Sequence, residues 1–363
     1  MVNTTMENRM DKNFWENKRV FITGHTGFKG SWLALTLHLM GAEIVGYALE
    51  PSTTPSLFQL CRINTLIKSI YGDIRNKEKV EFEINSFKPE IIFHLSAQPL
   101  VRKSYLDPYE TFSTNVMGTV NILEAIRKCN SVKAVVNVTT DKVYENKEWV
   151  WGYREIDNLG GYDPYSSSKA CSELVTAAYR SSFYNSESNN KHVGIATARA
   201  GNVIGGGDWS SDRLIPDCIR SILEGKEIVI RSPESSRPWQ HVLEPIKGYL
   251  ILAQKLYENG EKFSGAWNFG PDDNDVKTVK WMVEELYKQW GGAATYKIEK
   301  KDHLHESKIL KLDNSKAKSG LNWYPKWNID YSVEKVVEWV HAYKEQNDLK
   351  EISINQIIEY FNF

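Results

Sequence analysis

Residues 19–30 read RVFITGHTGFKG, and this stretch decides the fold. Its first five residues form a short, largely β-branched run typical of a buried strand, and three glycines spaced three apart follow at once. An amphipathic helical pattern then runs from Ser31 to Met40. Strand, glycine turn and helix in this order predict phosphate binding, because bare backbone can approach a pyrophosphate at a helix N-terminus. The alternative at this G-x-x-G-x-x-G spacing is an ordinary tight turn.

The same alternation of strand and helix continues along the chain. Five further strands are predicted at Ile44–Leu49, Ile67–Tyr71, Glu90–Leu95, Val132–Val138 and Val193–Thr197, with helical patterns between them. Six strands separated by helices predict an α/β fold with a Rossmann-type, doubly wound parallel sheet and helices on both faces. Ligands of such sheets bind beyond the carboxyl ends of the strands.

Polar residues follow several of these predicted strands. Glu50 comes about 20 residues after Gly30, the spacing of a carboxylate that holds an adenosine ribose, although a solvated loop residue is equally consistent with it. Asp73 could accept a hydrogen bond from an adenine amino group or simply cap the next helix. Ala97 is small enough for a cofactor to lie across it, and Thr140-Asp141 ends the fifth strand. Their convergence at one edge predicts a catalytic site there.

Tyr165 and Lys169 begin a long helical pattern and lie four residues apart, on one helix face. An ammonium beside a phenol favours the phenolate and lowers a pKa that is ordinarily near 10. The spacing alone is common in large proteins. In front of a predicted nucleotide site it indicates a tyrosine base.

Regular alternation stops after the sixth strand. Residues 199–209 are predicted to be a glycine-rich loop, followed by helices over 213–225, 277–291 and 329–346 and by short strands near 226–231 and 266–270. We predict a Rossmann domain over residues 14–200, which also receives segments near 240–260, a smaller mixed α/β substrate-binding part over 201–345, and a helical tail over 346–363. Arginines in the 201–345 part are suited to binding a diphosphate. The alternative is that each forms a surface ion pair.

Charge balance, apolar runs and cysteine spacing exclude several classes of protein. The chain has 363 residues, with 45 Lys and Arg against 46 Asp and Glu, and no long run of one charge, so neither nucleic acid nor a membrane surface is an expected partner. No apolar run approaches the roughly 18 residues of a membrane span, and the first 13 residues lack the apolar core of a secretory signal. Four separate cysteines have no metal-site spacing. We therefore expect a soluble, cytoplasmic protein with no metal.

Together these residues resemble the extended short-chain dehydrogenase/reductase family, and within it the nucleotide-sugar 4,6-dehydratases, over about residues 18–345. The resemblance rests on Gly24, Gly27, Gly30, Asp73-Ile74, Asn115, Thr140-Asp141, Tyr165, Lys169 and the 199–202 loop. The family usually has Thr-Asp-Glu where this chain has Thr140-Asp141-Lys142. That departure, together with residues 24–32, 149–155 and 237–241, is similar to the members that act on CDP-hexoses. It implies tightly held NAD, CDP-glucose as substrate, and a product used in dideoxysugar synthesis for a surface polysaccharide.

The resemblance also implies residue roles. It assigns cofactor contacts to Gly24, Thr26, Gly27, Phe28, Lys29, Gly30, Asp73, Ile74, Leu95, Ala97, Gln98, Asn115, Tyr165 and Lys169. It assigns substrate contacts to Asn202, Arg213, Arg237 and His241, although a packed histidine is the alternative for His241. The implied catalytic residues are Thr140, Asp141, Lys142, Tyr165 and Lys169.

In the implied mechanism, Tyr165 takes the proton of the sugar 4-hydroxyl, Thr140 positions that oxygen, and Asp141 protonates the leaving 6-hydroxyl. Lys142 is expected to remove the C5 proton, which requires a neutral amine whose ordinary pKa is near 10.4. Two alternatives stay open for Lys142. It could remain charged and stabilise the enolate, or it could be a structural lysine paired with Glu155 or Asp157.

Other functions of the same fold are possible. A nucleotide-sugar 4-epimerase would use Tyr165, Lys169 and NAD but needs no acid at C6, so Asp141 disfavours it. A non-catalytic binding protein would tend to lose Tyr165 or Lys169, and both are present. A reductase using NADPH would call for basic residues after the second strand, where residues 49–52 contain none. The resemblance further implies a homodimer through the helices of Val116–Lys128 and Ser166–Tyr184, by faces (Val116, Val120, Leu123; Leu174, Ala177, Ala178) that would also suit packing on the sheet.

Overall fold

The computed structural model describes residues 11–185, 193–292, 295–299 and 307–363. Residues 1–10, part of the segment in which no secretory signal is expected, lie outside the described residues. The strands are β1 (Arg19–Thr23), β2 (Glu43–Ala48), β3 (Lys68–Tyr71), β4 (Ile91–His94), β5 (Ala134–Val138), β6 (Gly194–Ala200), β7 (Val203–Ile204), β8 (Ile228–Ile230), β9 (Ser236–Pro238), β10 (Gln240–His241), β11 (Gly265–Phe269), β12 (Val276–Thr278) and β13 (Tyr296–Ile298).

Helices connect and cover these strands. They are α1 (Lys12–Trp15), α2 (Phe28–Leu39), α3 (Leu57–Leu60), α4 (Lys77–Phe87), α5 (Val101–Leu106), α6 (Pro108–Phe112), α7 (Gly118–Lys128), α8 (Pro164–Phe183), α9 (Leu214–Glu224), α10 (Leu243–Asn259), α11 (Val279–Trp290), α12 (Ser315–Leu321), α13 (Ile329–Lys344) and α14 (Leu349–Phe361). A π-helical segment, Ser113–Met117, joins α6 to α7. No helix among the described residues is long and apolar enough to cross a membrane.

The central sheet is parallel throughout and has the order β11-β6-β5-β4-β1-β2-β3. The order in which strands are added reverses between β1 and β4: β2 and β3 extend the sheet to one side, and β5, β6 and β11 to the other. A crevice therefore opens beyond the carboxyl ends of β1 and β4, at Gly24 and Leu95. This order confirms the predicted doubly wound, Rossmann-type sheet.

Side chains of the central strands β1, β2, β4, β5 and β6 alternate between two cores. In β1, Val20 and Ile22 point into the larger core with α2 and α10, whereas Phe21 points into a second core with α4 and α7. Both faces are therefore covered, and near-continuous apolar strands result. This explains the largely β-branched run that predicted the first strand, residues 19–23.

Two strand predictions were wrong in detail. Strand β6 does not end at Thr197 but runs to Ala200, pairing with β5 and β11 on its two sides, so Arg199 belongs to a strand and not to a loop. The segment near 266–270 is not in the second part of the fold, because β11 is the seventh strand of the central sheet. Leading into it, α10 packs on β5 and β6, and so residues 243–259 cover the sheet as a helix.

The remaining strands form three small pairs outside the central sheet: β7 with β10, β8 with β13, and β9 with β12. Helix α14 packs its Tyr360 into the main core, where the Tyr360 hydroxyl donates to the buried Glu244 at 2.6 Å. The predicted helical tail is thus observed, and it is fastened to α10. The domain boundaries near residues 200 and 345 stay predictions.

Candidate active site

The glycine turn joins β1 to α2 at the carboxyl edge of the sheet. Gly24 has φ +78°, and a Cβ there would lie 2.8 Å from the backbone nitrogen of Ser96. A Cβ on Gly30 would lie 2.1 Å from the carbonyl oxygen of Gly24, so this glycine lets α2 pack against the turn. These two positions require glycine for conformation and for space.

Helix α2 begins at Phe28, not at Ser31 as the apolar pattern suggested. Gly27 precedes it in an extended conformation (φ −80°, ψ 169°), no side chain caps the helix, and its first turn carries no acidic residue. The first N–H groups of a helix attract anions. With the close approach allowed by the glycines, the turn fits the pyrophosphate of a dinucleotide. Thr26 fastens the turn through a hydrogen bond from its hydroxyl to the carbonyl of Leu49, 2.8 Å.

His25, within the turn, points away from the crevice. Its Nε2 lies 2.7 Å from the Ser69 hydroxyl, and burial lowers its pKa to about 4. A Cβ on Gly46 would lie 2.3 Å from this ring, so the missing side chain in β2 makes the space that His25 occupies. His25 therefore supports the turn from beneath as a neutral imidazole.

Beyond β3, Asp73 is engaged by a neighbour in sequence. The guanidinium of Arg75 donates to both of its carboxylate oxygens (2.5–3.0 Å), which lowers the pKa of Asp73. The suggested helix-capping role for Asp73 was wrong, because Asn76 caps α4. Ile74 is buried against Gly118, and Glu50 is exposed. Adenine recognition by Asp73 would have to share this carboxylate with Arg75.

Beyond β4, Asn115 and Gln98 form a buried brace. Asn115 accepts from the Gln98 backbone nitrogen at 2.8 Å and donates to the Ser168 hydroxyl at 2.8 Å, while the Gln98 amide is held by Thr111. Their side-chain groups are thus used within the protein. They lie beyond β4 with the partly buried Leu95 and Ala97, and the predicted cofactor contacts of these residues stay predictions.

The segment 140–142 turns sharply beyond the end of β5. Thr140 caps a short 3₁₀ turn, Asp141–Val143, and its hydroxyl lies 2.9 Å from Oδ1 of Asp141. Asp141 is 2% exposed, and its Oδ2 has no hydrogen-bond partner in the described part of the chain. Burial raises the pKa of Asp141, with Lys142, Thr140 and Arg237 opposing the rise. A buried carboxyl group with one free oxygen and a raised pKa can act as a proton donor.

Lys142 is partly buried. Its two suggested structural partners are occupied elsewhere: Glu155 accepts from the backbone nitrogen of Asn268 (2.9 Å), and Asp157 pairs with Arg154 (3.2 Å). These contacts give no support to a structural ion pair for Lys142.

Tyr165 and Lys169 lie in the first turns of α8, facing the end of β5. Burial raises the pKa of Tyr165 to about 12, opposed by its hydrogen bond with Thr140 and by the charge of Arg213. The ammonium of Lys169 donates to the carbonyl of Val138 at 3.1 Å. The predicted lowering of the Tyr165 pKa by Lys169 stays a prediction, and in this geometry the cation that opposes the rise is Arg213.

A cluster of charges completes the pocket. Desolvation lowers the pKa of Lys29 to about 8, and its ammonium interacts with Asp141, Lys169 and Arg213. Arg213 pairs with Asp208 at 2.9 Å, a carboxylate from the glycine-rich loop. These couplings bring the glycine turn, the Thr140 segment, α8 and the start of α9 to one site, as their positions at strand ends predicted.

The remaining predicted substrate residues differ in whether they lie near the site. Arg237 is buried and close enough to Asp141 to influence its charge, while Asn202 is partly buried and its carbonyl holds β10 through Gln240 (3.0 Å). His241, in contrast, is fully buried between Trp32 and Trp327, with ring centroids 5.9 and 4.9 Å away. The predicted substrate contact of His241 is not retained, because aromatic packing encloses the ring.

Sequence reasoning missed two buried charges beneath the site. Glu173 and Arg199 form an ion pair at 3.0 Å with both side chains 4% exposed. Glu173 is on the same α8 face as Tyr165 and Lys169, four residues further on, and that spacing was the available signal. Among the described residues no group of three or more histidine, cysteine or acidic side chains could hold a metal ion.

Comparison with known proteins adds to this geometry. Residues 21–336 match the family model described as GDP-mannose 4,6 dehydratase. A CDP-glucose 4,6-dehydratase of Salmonella typhimurium is 54% identical, over 97% of this chain and 99% of its own length. A dTDP-glucose 4,6-dehydratase of the same organism is 23% identical, over 89% of this chain and 93% of its own length.

Solved structures match the fold. A UDP-glucose 4-epimerase from Thermotoga maritima has a TM-score of 0.77 at 22% identity, covering 90% of this chain and 99% of its own. A dTDP-glucose 4,6-dehydratase from Streptomyces venezuelae, solved with NAD bound, has a TM-score of 0.76 at 21% identity, covering 92% of this chain and 99% of its own. At these identities the matches show the fold alone.

Proposed function

Because the chain belongs to the GDP-mannose 4,6-dehydratase family, we propose that it is a hydro-lyase that converts CDP-glucose to CDP-4-dehydro-6-deoxyglucose. The close similarity to a CDP-glucose 4,6-dehydratase over nearly all of both chains supports the nucleotide and the sugar. The reaction removes water and leaves the overall oxidation state of the sugar unchanged.

The proposed cofactor is NAD. When bound, NAD supplies a hydride acceptor for C4 and a hydride donor for C6. Its pyrophosphate would lie on the glycine turn and the uncapped N-terminus of α2, where Gly24 and Gly30 leave room for it. Solved relatives of the same fold contain NAD, which supports this assignment.

Oxidation at C4 requires removal of the proton on the 4-hydroxyl. Tyr165 is the proposed base, and Thr140, which is hydrogen-bonded to it, would orient the substrate oxygen. Since burial raises the Tyr165 pKa to about 12, the phenolate has to be stabilised by nearby positive charge. Arg213 supplies part of that charge, and Lys169, held on the Val138 carbonyl, would bind ribose hydroxyls.

Elimination follows from the acidity that a 4-ketone gives to C5. Lys142 is proposed to accept the C5 proton, and Asp141 to donate a proton to the departing 6-hydroxyl. The single observation that carries this function is Asp141: a buried carboxyl with a raised pKa and an oxygen that no described residue hydrogen-bonds. A 4-epimerase has no need of such an acid.

The function is tested by supplying CDP-, UDP-, GDP- and dTDP-glucose separately, with NAD, and analysing the products by NMR. We expect a 4-keto-6-deoxy sugar from CDP-glucose alone. Product from another nucleotide alone would retain the dehydratase and overturn the CDP assignment. Inversion at C4 with the 6-hydroxyl intact would identify an epimerase, and no turnover of any of the four would support a non-catalytic protein.

Asp141→Asn provides a prediction about the acid. The amide cannot donate the proton that water needs to leave, so product formation should fall by about 10²- to 10⁴-fold. Exchange of the C5 proton with D₂O should persist, because that exchange does not require elimination. The measurement is NMR of recovered CDP-glucose and product. Near-normal product formation by Asp141→Asn would reject the role.

We also propose a homodimer formed through the two predicted helices, which span the π-helical segment, α7 and α8, with α6 packed beside them. The exposed apolar side chains Phe112, Met117 and Leu174 (37–59% exposed) lie on these mutually packed elements, which supports such an interface. One predicted contact is corrected, because Leu123 is 1% exposed and packs in the second core.

The dimer is tested by light scattering on the purified protein. The wild type should have twice the chain mass of 41.7 kDa, and Met117→Glu with Leu174→Glu should give monomers. Phe82→Glu, a change at an exposed apolar residue on α4 (66% exposed), serves as control and should leave the dimer intact. A monomeric wild type would refute the interface.

The proposed location is the cytoplasm, and the proposed product use is dideoxysugar synthesis for a surface polysaccharide. The location is supported by the four unpaired cysteine thiols. The product use is supported by the sugar chemistry, since a 4-keto-6-deoxy sugar is activated for further deoxygenation.

A further inference from the structure

The buried Glu173–Arg199 ion pair has no part in the chemistry above, yet it lies directly beneath the reacting residues. Arg199 donates through Nε to Oε1 and through Nη2 to Oε2 of Glu173, both at 3.0 Å, so the contact is bidentate. Such a pair gives little net stability after desolvation, and apolar residues of similar volume often serve as well. We therefore expect the pair to act by positioning the residues that it contacts.

Glu173 holds the beginning of the catalytic segment. Its two oxygens also accept from the hydroxyls of Thr139 and Thr197, each at 2.5 Å. A carboxylate has about four acceptor positions, and all are filled here. Thr139 immediately precedes Thr140, so the carboxylate fixes the chain just where it leaves β5.

Arg199 holds the other end of the same segment. Its Nη1 donates to the hydroxyl of Tyr144 at 2.7 Å, and its guanidinium lies 4.8 Å from the centre of that ring. Tyr144 in turn donates to Oδ1 of Asn268 at 2.7 Å. Tyr144 therefore has its hydroxyl fixed by two partners, one on β6 and one on β11.

We propose that the Glu173–Arg199 pair is a positioning device that fixes both ends of residues 139–144 and thereby places Thr140, Asp141 and Lys142 against Tyr165. This inference rests on the proposed function. It follows from one ion pair that holds Thr139, directly before the catalytic triplet, and Tyr144, two residues after it. Loosening either end should misplace reacting atoms without removing any of them.

Two isosteric variants test this. Thr139→Val removes the hydroxyl held by Glu173, and Tyr144→Phe removes the hydroxyl held by Arg199. Each should lower kcat on CDP-glucose by about 10- to 100-fold, the loss expected when reacting groups shift by about an ångström, with KM changed less than about 3-fold. Thr139→Ser keeps the hydroxyl and should restore kcat.

Tyr153→Phe is the matched control. Its ring stacks on Tyr144 with centroids 5.1 Å apart, but its hydroxyl donates to Asn146, away from the ion pair. It should keep kcat within about 2-fold of wild type, because no reacting group is displaced. Melting temperatures and circular dichroism establish that all variants are folded.

The outcomes separate the two proposals. No turnover of CDP-glucose by the wild type would reject the proposed function. Normal kcat in folded Thr139→Val and Tyr144→Phe, with an active wild type, would overturn the positioning role alone, and so would equal losses in Thr139→Ser and Thr139→Val. If Tyr144→Phe does not fold, the comparison of Thr139→Val with Thr139→Ser decides.

Discussion

Tyr165→Phe should lower kcat on CDP-glucose by about 10²- to 10⁴-fold, the usual contribution of a positioned proton-transfer group. Phenylalanine fills the same space on α8 but cannot take the proton of the 4-hydroxyl. Because C4 oxidation comes first, every later event should fall with it, including solvent exchange at C5. Steady-state assays and NMR of the recovered substrate measure both effects.

Tyr287→Phe is a suitable control for this change. Tyr287 is similarly buried (8% exposed, against 9% for Tyr165), and its hydroxyl has no hydrogen-bond partner in the described part of the chain. Its loss should leave kcat near the wild-type value. Retention of more than about a tenth of the activity by Tyr165→Phe would show that another group is the base.

Lys142→Met should abolish exchange of the C5 proton with D₂O while C4 oxidation continues. The methionine side chain has a similar length but no amine to accept a proton. Proton NMR of sugar recovered from D₂O measures the exchange, and absorbance at 340 nm reports oxidation at C4. Lys147→Met, a change at an exposed lysine of the following loop, is the control and should exchange normally.

Retained exchange in Lys142→Met would assign the base to another group and leave Lys142 as a charge that stabilises the enolate. Lys142→Glu separates these roles further, since it installs the residue usual in the family. A base at this position predicts that exchange returns with glutamate. A purely electrostatic role predicts that it does not, because a carboxylate repels the developing negative charge.

Much of the fold follows from local sequence patterns. The glycine turn at 24–30 was recognisable because a buried strand precedes it, and the central strands because both of their faces are apolar. The assignment of β11 failed for a physical reason. A strand of five residues carries no local signal for the sheet that it joins. Its place in the central sheet depends on the packing of α10, the helix before it, on β5 and β6.

The sequence predicted which residues form the candidate site better than it predicted how their charges are paired. Strand ends and helix spacing brought Thr140, Asp141, Tyr165 and Lys169 into one neighbourhood. The partner of each charge depends on tertiary contacts: Lys169 points to a backbone carbonyl, and Arg213, about 50 residues away in sequence, faces Tyr165. Arg199 was misplaced because a charged residue inside a strand suggests a loop until its buried partner is known.

In the proposed reaction, hydrogen removed from C4 returns to C6 of the same sugar while water is lost. CDP-glucose carrying deuterium at C4, incubated with the enzyme in ordinary water, tests it most directly. We expect product with deuterium at C6, one solvent hydrogen at C5 and none of the label in water. Deuterium remaining at C4, or lost to solvent, would contradict the dehydratase assigned to this site.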